Sequence, residues 1–354
     1  MSTLRDVAKR ARVSPMTVSR VANGAPGVRP ETRRRVEKAI ADLGFIPNGV
    51  ARGLKSSKTG ALGLIVPDIV NPFFAVVVRG AETVARRAGY RLLLCISEND
   101  LALERQYVED MISHQVEGLL IAPVGDRSLD NVLPLVQRKF PFVLMDRGVK
   151  GIDGDLVQGD NLAGARRLVR HLISIGHRRI AAILEPDNVS TARERLGGYR
   201  EALETAGIAF DPELVAETSG DRAGGYSAMH QILSLHPLPT AVVAINNMTA
   251  LGAMQAVRER GLKVPTDIAL VCFDDVEHLA VLSPFLTVMN QPAESFGTVA
   301  AQLLLDRIAG KAGPRRRQVV LQPHLLVRES CGAKAGLPAP RGATDGQGTD
   351  DRDR

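Results

Sequence analysis

Apolar positions are spaced in two different ways along the chain. Over the first sixty residues they recur at three- and four-residue intervals, the spacing of one helix face. Leu4, Val7, Ala8 and Ala11 form one such face behind Thr3, a good N-cap, with Asp6 at the third helical position. Arg12-Val13 makes a short turn, Ser14 caps a second helix, and Pro15 opens it where its missing N–H costs nothing. Val18, Val21 and Ala22 supply that helix's buried side, and Asn23-Gly24 stops it. Two short helices joined by a tight turn predict a helix-turn-helix. A third helix is expected over residues 31–43, apolar through Val36, Ala39, Ile40 and Leu43 and basic through Arg33, Arg34, Arg35 and Lys38. Its N-cap position falls on Arg29, a poor capping residue. Asn48 is placed to cap a further short helix, but Gly49 and Gly53 weaken it. That segment reads either as a plain linker or as a helix that folds on contact with a partner.

Beyond residue 59 the pattern changes to continuous apolar runs separated by amphipathic stretches. The runs are 61–66, 90–96, 118–121, 142–145, 179–184, 241–245 and 268–273, with a helix expected over 73–88. Strands buried on both faces and alternating with helices predict parallel sheets in α/β units. A single TIM barrel would need eight evenly spaced units. A composition break near residue 160 favours two doubly wound halves instead. Residues 333–354, rich in Gly, Pro and Asp, read as a disordered tail.

Charge sharpens this division. The net +6 conceals thirteen Lys/Arg against four Asp/Glu in residues 1–60, a balance of +9, and −3 over the rest. A basic head on a mildly acidic body suggests a polyanionic partner for the head, although a solvated basic surface gives the same count. No run of 18 apolar residues appears, and the start lacks an apolar leader segment, so neither a membrane span nor secretion is expected. Cys95, Cys272 and Cys331 have no metal-ligand or disulfide spacing, so no metal site is expected.

Off the buried side of the second helix lie Pro15, Met16, Thr17, Ser19 and Arg20. The Arg20 guanidinium can donate two bonds to guanine in the major groove. The hydroxyls of Thr17 and Ser19 suit phosphate oxygens. In the body, polar and aromatic residues follow the apolar runs, and open α/β sheets bind ligands beyond the carboxyl ends of their strands. Phe73 and Phe74, Asp146 and Arg147, Asp160, Thr191, Arg195, Asn246 and Asp274 are the candidates. A single polar cluster at a strand end is usually a helix N-cap, but six such clusters on one edge suggest a pocket. Carboxylates, amides and guanidinium groups with a flat face at Phe73-Phe74 suit a polyhydroxylated ring, a sugar or nucleoside. GxxxxGK[ST], HExxH and GxSxG are all missing, so no enzyme activity and no cofactor are expected.

The run from Thr3 to Gly24, with Pro30-Glu-Thr-Arg-Arg-Arg-Val, Gly44-Phe-Ile-Pro-Asn and Val50-Ala-Arg-Gly-Leu, resembles the head of LacI/GalR-type bacterial transcription regulators. Pro67-Asp68 with Asn71-Pro-Phe-Phe, Met145-Asp-Arg, Arg195-Leu-Gly-Gly-Tyr and Val271-Cys-Phe-Asp-Asp resemble the effector domain of the same family, itself similar to periplasmic sugar-binding proteins. The resemblance implies an all-α helix-turn-helix head (1–46), a hinge helix (47–58) and an α/β effector-binding and dimerisation body (59–332). The body would comprise two doubly wound parallel-sheet subdomains, about 59–158 with 290–318 and about 159–289 with 319–332. The implied DNA contacts are Thr3, Ser14, Pro15, Met16, Thr17, Ser19, Arg20, Asn23, Thr32, Asn48, Ala51, Arg52 and Leu54, with Leu54 as the minor-groove wedge. The chain departs from the family's pattern at Arg29, Gly49, Asn247, Cys272 and Phe273. The expectation is a cytoplasmic, nucleoid-associated homodimeric repressor that binds double-stranded operator DNA under control of a small effector. A periplasmic-type sugar receptor, or a sugar-metabolising enzyme carrying a regulator head, are the alternatives.

Overall fold

The computed structural model describes residues 2–22, 25–45, 59–275 and 285–333. The sequence readings for Asn23-Gly24, the hinge with Asn48, Ala51, Arg52 and Leu54, and the tail from 334 lie outside the described residues. The chain divides into two compact units, residues 1–61 with 115–117 and the remainder.

In the head, α1 (Leu4–Ala11), α2 (Pro15–Ala22) and α3 (Pro30–Asp42) pack around Val7, Ala8, Ala11, Val18, Val21, Val36 and Ala39. These are the apolar positions whose spacing predicted the helices. The start of α1 is a complete capping box. Asp6 N–H donates to Thr3 Oγ1 (3.3 Å), and Thr3 N–H donates back to Asp6 Oδ2 (2.8 Å). The Thr3 hydroxyl also donates to Asp6, and this bonding holds the Asp6 carboxyl below its usual range. Arg29 precedes α3 without a side-chain cap bond, as its chemistry predicts, and Arg33 instead donates to the Ala25 carbonyl (2.8 Å).

The body contains two six-stranded sheets. The first orders β11-β5-β4-β3-β1-β2, built from β1 (Ala61–Val66), β2 (Arg91–Ile96), β3 (Leu119–Ile121), β4 (Phe142–Met145), β5 (Asp155–Gly159) and β11 (Gln318–Leu321). The second orders β12-β10-β9-β8-β6-β7, from β6 (Ile180–Leu184), β7 (Val215–Glu217), β8 (Ala241–Ala244), β9 (Ala269–Phe273), β10 (Thr287–Asn290) and β12 (His324–Leu326). The first five strands of each half follow the same order; β11 joins the first sheet parallel to β5, and β12 runs antiparallel to β10. Alternation along a strand sorts side chains to opposite faces. Ile180, Ala182 and Leu184 enter one core of the second half, and Ala181 and Ile183 enter the other.

The chain passes between the halves three times, after Gly159, after Asn290 and after Leu321. The last crossing follows Leu321, close to the boundary expected near 318/319. Val319 and Val320 pair with Val157 and Gln158, so the strand stays in the first half through Leu321. Helices α4 (Pro72–Arg87) and α11 (Ala293–Ile308) cover the first half's core, and α7 (Asn161–Ser174) and α8 (Ser190–Thr205) pack together on the second.

Candidate functional sites

The exposed side of α2 carries Pro15, Met16 and Arg20, while Val18 and Val21 point into the head's core. Met16, a large apolar side chain, is 59% exposed. Ser14 Oγ accepts from Thr17 N–H (3.2 Å) and lies 3.0 Å from the Thr17 hydroxyl, so these two side chains are coupled at the start of the helix. Ser19 and Thr32 are half-buried, on α2 and in the first turn of α3. Because the Thr3 hydroxyl proton goes to Asp6, Thr3 holds α1 in place first of all.

In the body the same device appears at the carboxyl end of the fourth strand of each half. Asp146 follows β4 and Asp274 follows β9, and each adopts φ 63°, a conformation that Asp tolerates better than most residues. Asp146 N–H donates to the Val157 carbonyl (2.8 Å) and Asp274 N–H to the Met289 carbonyl (3.1 Å). Both residues therefore leave their sheets through the same turn, and both side chains are buried.

Two arginines accompany them. Arg195, on α8, donates from Nε to Asn161 Oδ1 (3.0 Å) and from Nη1 to the Ile245 carbonyl, with its guanidinium carbon 4.0 Å above the Phe273 ring. Arg147 donates to Asn99 Oδ1 (3.1 Å), the Val124 carbonyl (3.3 Å) and Glu185 Oε1 (3.2 Å), with Nε 3.6 Å from Asp146. Gln291 donates to Asp274 Oδ1 (2.9 Å). Burial raises the Asp146 carboxyl, partly offset by Arg147 and Arg195. Burial likewise pushes Asp274 up to about 6, with Arg195 pulling it back. Burial also raises Glu194, which accepts from Asn161. Four buried polar atoms along this edge have no hydrogen-bond partner: Arg147 Nε, Asn188 Oδ1, Asn247 Oδ1 and Gln291 Oε1. Leaving such an atom unpaired costs about 1–3 kcal/mol, which a polar ligand recovers. A cavity of about 380 Å³ opens beside Phe73, Asp274, Asp275 and Gln291.

The structure thus brings together Asp146, Arg147, Arg195 and Asp274. Thr191 is buried in the first turn of α8. Asp160 and Asn246 serve as helix caps. Asp160 accepts from Ala163 N–H (3.1 Å) and from Gln322 (3.2 Å). Asn246 accepts from Thr249 N–H (2.8 Å) and donates to the Gly220 carbonyl (2.8 Å). The flat face expected of Phe73-Phe74 is replaced by an edge-to-face pair at 78°, both rings packed in the first half's core with Phe296. Phe73 alone of the two borders the cavity. Asp275 makes a two-bond pair with Arg328, so adjacent Asp274 and Asp275 have separate side-chain partners. Sequence reasoning missed Glu185 and Asn99. Glu185 carried a usable signal, since it follows the run 180–184 as Asp146 follows 142–145; Asn99 carried none.

Residues 3–48 match the family described as "Bacterial regulatory proteins, lacI family", and residues 169–331 match "Periplasmic binding protein-like domain". The chain is 35% identical over 334 residues to the HTH-type transcriptional repressor PurR of Aliivibrio fischeri, covering 93% of this chain and 98% of the relative. It is 34% identical over 330 residues to the ribose operon repressor of Haemophilus influenzae, with 93% and 98% covered. Among solved structures, the lac repressor dimer bound to operator and the anti-inducer ONPF superposes with a TM-score of 0.80 at 29% identity, covering 93% of this chain and 99% of that one. The basic three-helix head, the doubled α/β body and these likenesses agree: the chain belongs to the lacI family of bacterial regulatory proteins.

Proposed function

We propose that this regulator is a repressor whose hold on a pseudo-palindromic operator is set by a hydroxyl-rich effector of the sugar type. The observation that carries the effector reading is the buried array Asp146–Arg147–Arg195–Asp274. It offers carboxylate acceptors and guanidinium donors at the carboxyl ends of two matching sheets. The aromatic faces nearby are already used. Phe73 meets Phe74 edge to face, and Arg195 covers Phe273, which disfavours stacking of a large flat base and favours a compact polyhydroxylated ring. The ribose operon repressor among the relatives makes ribose the first candidate. Phe73 and Gln291 border the cavity beside Asp274; in this reading Thr191, Phe74, Asp160 and Asn246 complete the effector site.

In the head, Pro15, Met16 and Arg20 read bases in the major groove. Thr3, Ser14, Thr17, Ser19, Asn23 and Thr32 are the further DNA contacts of this reading, with the hydroxyls suited to phosphate oxygens. The hinge at 47–58, with Asn48, Ala51, Arg52 and Leu54, enters the minor groove between two copies of the chain. The lac repressor neighbour is a dimer on its operator, which supports the same assembly here. The protein acts by binding rather than catalysis, in the cytoplasm and on the nucleoid. No helix among the described residues is long and apolar enough to cross a membrane.

A thermal-shift titration of the full chain with ribose, other pentoses, hexoses and nucleosides tests the reading, because a ligand that binds only the folded state raises the melting temperature. A saturable rise with a sugar, abolished by Asp274→Ala, is expected. A rise with nucleosides alone, or one indifferent to Asp274→Ala, overturns it.

A further inference from the structure

The two halves of the body meet across the ends of their strands through their own polar groups. Arg147, after β4, donates to Glu185, after β6 (3.2 Å), and the side chains are only 7% and 9% exposed. Next to it, Gly148 N–H donates to Ser190 Oγ (3.0 Å). From the loop after β3, Asp126 N–H donates to the Asn188 carbonyl (2.8 Å), and the Asp126 carboxylate receives Arg193 (3.0 Å). The approach is tight at Gly125, where a Cβ would lie 2.9 Å from the Asn188 carbonyl oxygen.

We propose that the Arg147–Glu185 pair, supported at the rim by Asp126–Arg193, is a latch that holds the body closed with no effector present. On its own the inner pair is a poor source of stability. Two charges are taken out of water, and Arg147 Nε has no hydrogen bond. Glu185 also adds to the negative field that raises Asp146. Its geometry is explained by what it joins. Asn99 and the Val124 carbonyl, both in the first half, aim the guanidinium at a carboxylate of the second. Glu185 therefore stands in the cleft as an internal partner for the arginine that the effector site uses. The effector enters a body whose closed form is already populated, and it competes with Glu185 for Arg147. The latch follows from the body's geometry alone; its consequence for operator binding rests on the regulator reading.

Two backbone amides report directly on closure, because Asp126 N–H and Gly148 N–H find their acceptors only on the opposite half. Residue-resolved hydrogen exchange on the ligand-free full chain is expected to show both protected. Glu185→Ala should speed their exchange about tenfold to a hundredfold, the scale of one charge-assisted bond. Interior strand amides such as those of Leu120 and Val243 should be unchanged. The swap Arg147→Glu with Glu185→Arg should restore part of the protection. Two results overturn the latch: both amides unprotected in the parent chain, or the same rates in parent and Glu185→Ala. Should the strand amides of Glu185→Ala also lose protection, Glu185→Gln, which keeps the shape and removes the charge, decides on the same two amides. Failure to bind operator with an intact exchange pattern would count against the regulator reading and leave the latch standing.

Discussion

At the residue scale, the pocket keeps a carboxylate where burial opposes its charge. Asp274 has its carboxyl pushed up to about 6 by burial, against the ordinary 3.8. The folded state therefore binds this proton more readily than the unfolded chain between those values. Stability falls as pH rises from about 4 to about 6, and the full penalty persists above that range. At 1.36 kcal/mol per pH unit this is roughly 2–3 kcal/mol at pH 7.5. Asp274→Asn keeps an oxygen for Gln291 and removes the charge. It should raise the unfolding free energy by about that amount at pH 7.5 and by little near pH 4, with effector response lost; equal gains at both pH values in urea titrations would contradict the assignment. A costly charge retained in a ligand-facing position is the usual trade of stability for function. In the head, the corresponding single-residue test is Arg20→Ala. Losing a bidentate base contact should cost about 1–3 kcal/mol of operator discrimination while weak binding to random DNA persists. Retained sequence preference in competition binding would remove Arg20 from base reading. The sequence singles out Asp146, Arg147, Arg195 and Asp274, which the fold brings near one another, because each follows or flanks an apolar run. It did not separate them from Asp160 and Asn246, because a helix cap and a ligand contact use the same side chains at the same place.

At the element scale, the long apolar runs were legible and the short crossing strands were not. β1, β4, β6 and β9 are buried almost throughout, so their residues stand out as continuous apolar blocks. β7 and β12 have three residues each, and β11 alternates exposed and half-buried positions. Their placement depends on partners far away in sequence. Close helix packing was equally hidden. Across α4 and α11, a Cβ on Gly297 would overlap the Val77 carbonyl oxygen, and one on Gly80 would overlap that of Glu294, so the two helix backbones touch. Gly297→Ala must push them apart, although alanine is the better helix former. The overpacking should cost at least about 1–3 kcal/mol in chemical denaturation, several times the intrinsic gain. A change within half a kcal/mol would mean that the helices slide freely.

At the scale of the whole molecule, β2 forms an edge of the first sheet that no strand among the described residues covers. Among the described residues β2 pairs only with β1, and its residues Leu93 and Leu94 are each 40% exposed, with Val70 nearby in sequence to α4 at 71%. An apolar edge strand open to water invites pairing with another chain. A regulator reading two half-sites needs such a contact, because joining two heads makes the second binding event intramolecular, a gain of about 10²–10⁴ in affinity without any new DNA contact. The basic head supplies the attraction to phosphate, and an interface through this edge of the body would supply the second head. Leu93→Glu places a carboxylate on that edge, facing its own copy in a two-fold pair. Burying two like charges there should shift the chain toward monomer in sedimentation at micromolar concentration. Operator affinity should fall by about a hundredfold or more. Far-UV circular dichroism and effector binding should be unchanged, since Leu93 lies on the outer edge of the sheet and the pocket at the carboxyl ends of its strands. If the variant remains a dimer with full operator affinity, the copies pair through another surface, and the exposed leucines of β2 are only an unprotected edge.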